Sequence, residues 1–395
     1  MRVSQRLRDI NGGGADGWEL FERSREMIAA GVDVVELTQG EHDIGTDPVI
    51  LDALYTAAKA GHTGYAPIMG EPALRDAVAQ RISDRTGVPT TRDHVMIQPG
   101  GQAGLYATHH AALDAGDTAL FIDPYYATYP GTIRGVGGVP RPVRVRPEDG
   151  FLPQVHDLEA AANEAKSLLI NSPNNPTGVV YDRDTLEGIA GVCADHDLWL
   201  ISDEVYDTQL WGGTHISPRT LPGMAGRTMV IGSMSKSHAM TGSRCGWVCA
   251  EPEMITHLSD LATNTTYGVP GYIQHAALFG LNQGAALEEK VAAPFRRRRE
   301  ITLRILEGQN AIRFVRPEGA MYVMLDIRAT GLSGEAFGNQ LLDAEHIAVM
   351  PGESFGAAAA GHIRIAMTTA DEAYADALQR ILRFAGDLTA DRRPV

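Results

Sequence analysis

Between positions 233 and 244 the chain reads Ser-Met-Ser-Lys-Ser-His-Ala-Met-Thr-Gly-Ser-Arg, directly after a strand-like segment. Lys236 supplies a primary amine able to form an imine with an aldehyde. Arg244, eight residues on, and the hydroxyls of Ser233 and Ser235 supply the donors that hold a phosphate. Pyridoxal 5′-phosphate needs both functions in one place.

Further polar residues fall where the predicted strands end, the edge at which open α/β sheets bind ligands. The segment Ile201-Ser202-Asp203-Glu204-Val205-Tyr206 closes a strand with Asp203. A carboxylate there, facing a pyridine nitrogen, keeps that nitrogen protonated so that the ring withdraws electrons. In the rigid turn Asn171-Ser172-Pro173-Asn174-Asn175-Pro176-Thr177-Gly178, Asn175 can donate to a ring hydroxyl oxygen, as can Tyr206. Gly100-Gly101-Gln102 joins a strand to an apolar helix, whose first N–H groups and dipole suit a phosphate. The segment from Asp123 to Pro130 offers an aromatic plane after the next strand. Taken singly, a Gly-Gly pair is a turn and a strand-ending aspartate a cap; the signal is their joint order around Lys236.

The elements that must position these residues alternate. Aliphatic runs at His94–Gln98, Thr118–Ile122, Ser167–Ile170, Leu198–Asp203, Met229–Gly232 and Gly246–Ala250 are separated by amphipathic patterns such as Glu71–Arg85, which predicts an α/β domain with a largely parallel sheet. These runs lie between positions 47 and 285. A long helix follows over 286–306, with the basic run Arg296–Arg299 read as a solvated face, and then short strands and a terminal helix of a smaller α+β domain over 286–395. Residues 1–46 form an amino-terminal arm with a segment of the small domain. The glycine- and alanine-rich pieces Asn11–Gly17 and Gly356–Gly361 read as mobile connections.

With 395 residues and a formal net charge of −15, the chain can bury a large core and repels nucleic acid and anionic membranes. The first residues lack a signal-peptide core and no apolar run approaches a bilayer span, so a cytoplasmic protein is expected. Cys193, Cys245 and Cys249 read as reduced core thiols. Neither they nor His109, His110, His238 and His275 have metal-ligand spacing, and no metal is expected.

The sequence resembles the class I and II aminotransferases of fold type I, the pyridoxal-phosphate group that includes aspartate aminotransferase. The resemblance is carried by Gly40-Glu41-His42-Asp43, the stretch from Tyr65 to Arg75, the turn from Asn171 to Gly178, the Ser202–Tyr206 strand end, the segment around Lys236 and His362-Ile363-Arg364-Ile365-Ala366. It implies a large domain with a mostly parallel seven-stranded sheet and a smaller α+β domain. It also implies that Lys236 holds the cofactor covalently, Asp203 pairs with the pyridine nitrogen, Asn175 and Tyr206 contact the ring oxygen and Tyr126 stacks on the ring. Gly100, Gly101, Gln102, Ser233, Ser235 and Arg244 would surround the phosphate, with Tyr65 reaching in from the neighbouring subunit of a homodimer. Arg364 would grip the substrate α-carboxylate, a task its planar fork suits better than a lysine. Gly40, Asn175 and Trp18 would line the substrate space.

Two positions depart from the family pattern: His42 where relatives commonly have proline, and Ser243 where they commonly have tryptophan. A closer resemblance, over His196–Tyr206, Ser235–Gly242, Asp326–Ser333 and Gly361–Ile365, is to the arginine:pyruvate subgroup. A cationic donor calls for an acidic group facing its side chain, and Asp16 and Glu19 beside Trp18 are the candidates, although acidic residues also suit a helix start. The implied activity is ping-pong transfer of an amino group between an L-amino acid and a 2-oxo acid. Its alternatives are an aspartate or aromatic transaminase, or a C–S β-lyase or decarboxylase using the same cofactor. A sensor of a transcriptional regulator fits less well, because fewer than fifty residues precede the first large-domain helix. A passive binder fits less well because the lysine, aspartate and arginine are all present.

Overall fold

The computed structural model describes residues 1–12, 18–309 and 311–390. A two-residue strand, β1 (Val35–Glu36), lies in the amino-terminal segment. Seven strands then build one sheet: β2 (Val95–Gln98), β3 (Thr118–Asp123), β4 (Val139–Arg144), β5 (Ala165–Asn171), β6 (Trp199–Asp203), β7 (Thr228–Ser233) and β8 (Gly246–Cys249), in the order β2-β8-β7-β6-β5-β3-β4. Only β8 runs against its neighbours. Both faces are covered, as continuous apolar strands require. Leu120 and Ile122 of β3 enter the core beneath the helices Val155–Ala162 and Arg183–Asp195, whereas Ala119 and Phe121 enter the core beneath Gly100–Ala112, Tyr129–Val136 and Pro252–Thr263.

The aliphatic pattern reveals six of these strands and misses β4. Its sequence, Val-Pro-Arg-Pro-Val-Arg, carries two prolines and is tolerated because β4 is an edge with β3 as its neighbour. The seven-stranded, mostly parallel sheet implied by the family resemblance is therefore present.

The carboxy-terminal part adds β9 (Arg313–Phe314), β10 (Tyr322–Asp326), β11 (Ile347–Ala348), β12 (Met350–Pro351) and β13 (His362–Ala366). Four of them form an antiparallel sheet in the order β12-β13-β10-β9, and β11 pairs in parallel with β1. Leu20 and Leu37 share a core with Phe295, Phe337, Tyr374 and Ile381, so the amino-terminal segment packs on the carboxy-terminal elements.

Two local expectations are corrected. In the helix Ala285–Leu306, Arg297 is exposed and Arg296 half-buried, but Arg298 and Arg299 are buried: Arg298 pairs with Asp43 and Asp371, and Arg299 with Glu300 and Glu318. The Gly356–Gly361 piece is a packed turn rather than a loose connection, since the Ala358 N–H donates to Asp123 at 3.2 Å and Ala359 is fully buried. The other glycine-rich piece falls largely on residues 13–17, outside the described residues. The three cysteines are free and buried. Among the described residues no helix is long and apolar enough to cross a membrane, and no group of three or more metal-ligating side chains forms.

Candidate active site

The parallel strands deliver their last residues to one edge, and the chemistry gathers there. Asn171 ends β5, Asp203 ends β6 and Ser233 ends β7. Ser233 also caps the one-turn helix Met234–Ser237, its Oγ accepting from the Ser235 N–H at 3.1 Å, and this turn presents Lys236. The helix Gly100–Ala112 follows β2 and starts at the same edge. From the other sheet, β10 contributes Tyr322 and β13 contributes Arg364. Together they line a cavity of about 390 Å³.

Within it, the Lys236 Nζ donates to the Gly40 carbonyl and lies 5.9 Å from the centre of the Tyr206 ring. Asp203 is buried, accepts from the Tyr129 hydroxyl at 2.8 Å and from the Val205 N–H at 3.3 Å, and has no lysine or arginine ion-paired to it among the described residues. Burial pushes its carboxyl up to about 6, the hydrogen bonds pulling the other way. Arg364 is also buried. Its Nη1 donates to Asn175 Oδ1 at 2.9 Å, its Nη2 donates to the Thr38 carbonyl, and its Nε has no partner among the described residues; Tyr322 and Phe355 flank it, each ring centre 4.4 Å away. The hydroxyls of Tyr206 and Tyr322 lie 2.9 Å apart.

Arg244 carries no carboxylate partner among the described residues: its Nη1 donates to the Thr241 carbonyl at 2.8 Å. Gly100, at φ +78°, does not line the cavity itself; a Cβ there would stand 2.4 Å from Arg244 Nη2, so the glycine makes room for the guanidinium. Gly101 and Gln102 do line it, but the Gln102 side chain is engaged with Thr128 and Thr132, both at 3.0 Å, which leaves the backbone at the helix start as the phosphate-facing part. These features fit a phosphorylated pyridine aldehyde. There is an amine for the aldehyde, a buried carboxylate without a cation for the ring nitrogen, and a helix start with serines and an unneutralised arginine for the phosphate.

A cavity with an amine, a buried carboxylate and a buried arginine suits amino-acid chemistry, and known proteins decide the family. The family "Aminotransferase class I and II" matches residues 32–381. The chain belongs to that family. The enzyme is 39% identical to arginine–pyruvate transaminase AruH of Pseudomonas aeruginosa, over 98% of this chain and 99% of that one. It is 36% identical to the aspartate/prephenate aminotransferase of Thermus thermophilus, over 92% and 94% of the two chains. The solved structure of the Thermus thermophilus aspartate aminotransferase with maleate superposes on it with a TM-score of 0.91 at 34% identity, covering 97% of this chain and all of that one. The enzyme thus has the fold of the type I pyridoxal-phosphate-dependent transferases.

Of the residues expected from the sequence, Trp18, Gly40, Gly101, Gln102, Tyr126, Asn175, Asp203, Tyr206, Ser233, Ser235, Lys236, Arg244 and Arg364 all line the aminotransferase's cavity. Tyr65 does not: it is 92% exposed and meets Tyr267 edge-on, with ring centres 5.1 Å apart. Asp16 lies outside the described residues. Glu19 is exposed in the first turn of the helix Glu19–Ala29 and does not line the cavity, so it serves the helix dipole rather than the site. Glu41 lines it instead, its Oε1 accepting from Thr241 Oγ1 at 2.7 Å. Tyr129 and Tyr322 were not singled out from the sequence. Tyr129 sat in the aromatic segment after β3, but its bond to Asp203 spans 74 residues. Tyr322 gives no signal in the sequence; only the fold shows that it closes on Gly40, where a Cβ would fall 1.7 Å from its hydroxyl.

Proposed function

We propose that the enzyme binds pyridoxal 5′-phosphate and moves an amino group between an L-amino acid and a 2-oxo acid in two half-reactions. The bound cofactor supplies an electron sink for negative charge developing at the donor α-carbon. Lys236 would hold the cofactor through its amine, and the same amine is placed to move a proton at the donor α-carbon. Asp203 keeps the ring nitrogen protonated, and Tyr129 orients that carboxylate. Asn175 and Tyr206 would hold the ring oxygen, with the Tyr322 hydroxyl behind that of Tyr206, and Tyr126 would flank the ring. Gly101, Ser233, Ser235 and Arg244 hold the phosphate, with Gly100 giving Arg244 its room. Arg364 binds the α-carboxylate through the guanidinium edge that still lacks a partner, and Gly40 and Trp18 bound the substrate space. Tyr65, exposed on its own chain, serves the neighbouring site of a homodimer. A division into segments 1–46, 47–285 and 286–395 belongs to the same reading, supported by the β1–β11 pairing.

The observation that carries the proposal is the meeting, in one cavity, of the Lys236 amine, the buried Asp203 and the buried Arg364, whose Nε has no partner among the described residues. For the donor we favour arginine, with pyruvate as acceptor. The likeness to arginine–pyruvate transaminase supports this, as does a charge inventory of the cavity. Lys236, Asp203, Arg244 and Arg364 are taken by cofactor and α-carboxylate, and among the described residues the charged group left over is the Glu41 carboxylate, a counter-charge for a cation. The aspartate-class relatives support aspartate as the second reading.

Titration of the holoenzyme's cofactor absorbance with arginine, aspartate, alanine and an aromatic amino acid tests both levels. Loss of the lysine-bound band with arginine and its return with pyruvate is the expected result. The same cycle with aspartate alone keeps the reaction and overturns the donor, and no response to any amino acid overturns amino transfer.

A further inference from the structure

We propose that His42 is a positioning residue that fixes the backbone of Lys236 through a neutral ring with the proton on Nε2; this rests on Lys236 being the cofactor-bearing lysine. His42 Nε2 lies 3.1 Å from the Lys236 carbonyl oxygen. A carbonyl oxygen only accepts, so Nε2 carries a proton; Nδ1 is shielded from solvent and has no partner among the described residues, so a proton there would lack an acceptor. The same carbonyl accepts from Gln209 Nε2 at 3.1 Å. It sits in a one-turn helix, where no backbone N–H of the described residues reaches it, so these two side chains are its hydrogen-bond donors.

The segment bearing His42 holds the lysine at both ends. Gly40 accepts from the Lys236 Nζ, and His42 donates to the Lys236 backbone. The segment is in turn tied to the elements that carry Arg364. Thr38 accepts from Arg364, Thr368 Oγ1 donates to the Gln39 carbonyl at 3.1 Å, and buried Arg298 bridges Asp43 to the Met367 carbonyl at 2.6 to 3.0 Å. One short strap therefore connects the group that receives the substrate carboxylate to the amine that must move a proton at the neighbouring carbon. A charged imidazole is disfavoured here by burial and by the nearby Lys236 and Arg298, which outweigh the hydrogen bond to the Lys236 carbonyl and the Asp43 carboxylate. A proline at this position would have no ring donor and could not make the bond.

The test compares three holoenzymes with wild type, using whichever amino acid wild type converts. His42→Phe keeps a ring against Phe295, 5.1 Å away in wild type, without a donor; His42→Gln keeps an N–H; Gln209→Leu removes the other donor. We expect His42→Phe to lower kcat about five- to tenfold with the donor KM within about twofold, the scale of one hydrogen bond. The pH midpoint of the lysine-bound absorbance band should shift in the same variant, His42→Gln should recover both readouts, and the double variant should fall further than either single one. Ring ¹⁵N resonances of the cofactor-free protein, assigned through the His42→Phe spectrum, should report a neutral ring protonated at Nε2 from about pH 5 to 8. A wild-type kcat and midpoint in His42→Phe, equal impairment in His42→Gln, or a proton on Nδ1 would each overturn the proposal. A wild-type protein that shows no lysine-bound band would instead mark failure of the functional assignment.

Discussion

Asp203 has its carboxyl pushed up to about 6 from 3.8 because burial outweighs its hydrogen bonds and the charge of Lys236. In cofactor-free protein such a group binds more protons folded than unfolded, so the stability it contributes is present at low pH and falls as pH rises through about 3.8 to 6. Asp203→Asn removes the charge and keeps an oxygen for the Tyr129 hydroxyl. The cofactor-free variant should therefore melt above wild type at about pH 8, with the gap closing near pH 4. Its amino-transfer kcat should fall by about a hundredfold or more, as for other preorganised charges in water-poor sites. Calorimetry and steady-state kinetics check the two halves, and equal melting temperatures at the higher pH would contradict the electrostatic account. At this scale the sequence was legible where chemistry is written in a single short run: Lys236 with its serines, Asp203 at a strand end, Asn175 in its turn. Tyr129, Tyr322 and Glu41 were not legible, because each acts through contacts with residues far away in the chain. Glu41 belongs to the Gly40–Asp43 segment, yet nothing local says that its carboxylate turns toward Thr241.

The helix Gly100–Ala112 carries the phosphate-facing turn at one end and a buried histidine toward the other. His109 is fully buried, neither ring nitrogen has a partner among the described residues, and burial lowers its pKa to about 4. A folded value below the unfolded one means that stability is present above about 6.5 and is lost as pH falls through 6.5 to about 4. His109→Leu removes that penalty and an unsatisfied polar group, so the variant should gain in urea midpoint over wild type as the pH is lowered from about 7 to 5. Because Gly101 and Gln102 are untouched, its amino-transfer rate should stay within about twofold of wild type. A gap that stays constant with pH would show that His109 titrates normally. Strand and helix periods located most elements, but two physical exceptions escaped. β4 hides behind its prolines because an edge strand needs partners on one side only, and the Arg296–Arg299 run looked solvated although the helix turn sends Arg298 and Arg299 inward to Asp43, Asp371 and Glu318.

Across the whole molecule, the sheet edge supplies the groups that suit a cofactor, and the carboxy-terminal elements bring Arg364 to the same cavity. The α/β class and the order of the motifs were readable from the alternation of strands and helices. The joining of the amino-terminal segment to the carboxy-terminal core was readable only through family resemblance, because it depends on β1 pairing with β11 more than three hundred residues later. The Gly356–Gly361 turn was misread for the same reason: its composition suggests freedom, and its anchor, Asp123, belongs to another sheet. The central claim is that this architecture transfers an amino group in two separable halves. The most direct measurement loads the holoenzyme with α-¹⁵N-arginine, removes free amino acid by gel filtration, adds pyruvate and quantifies the products by mass spectrometry. About one equivalent of ¹⁵N-alanine per active site, absent in Lys236→Ala, is the result predicted for a ping-pong aminotransferase. Unlabelled alanine, or label released as ammonia, would contradict it.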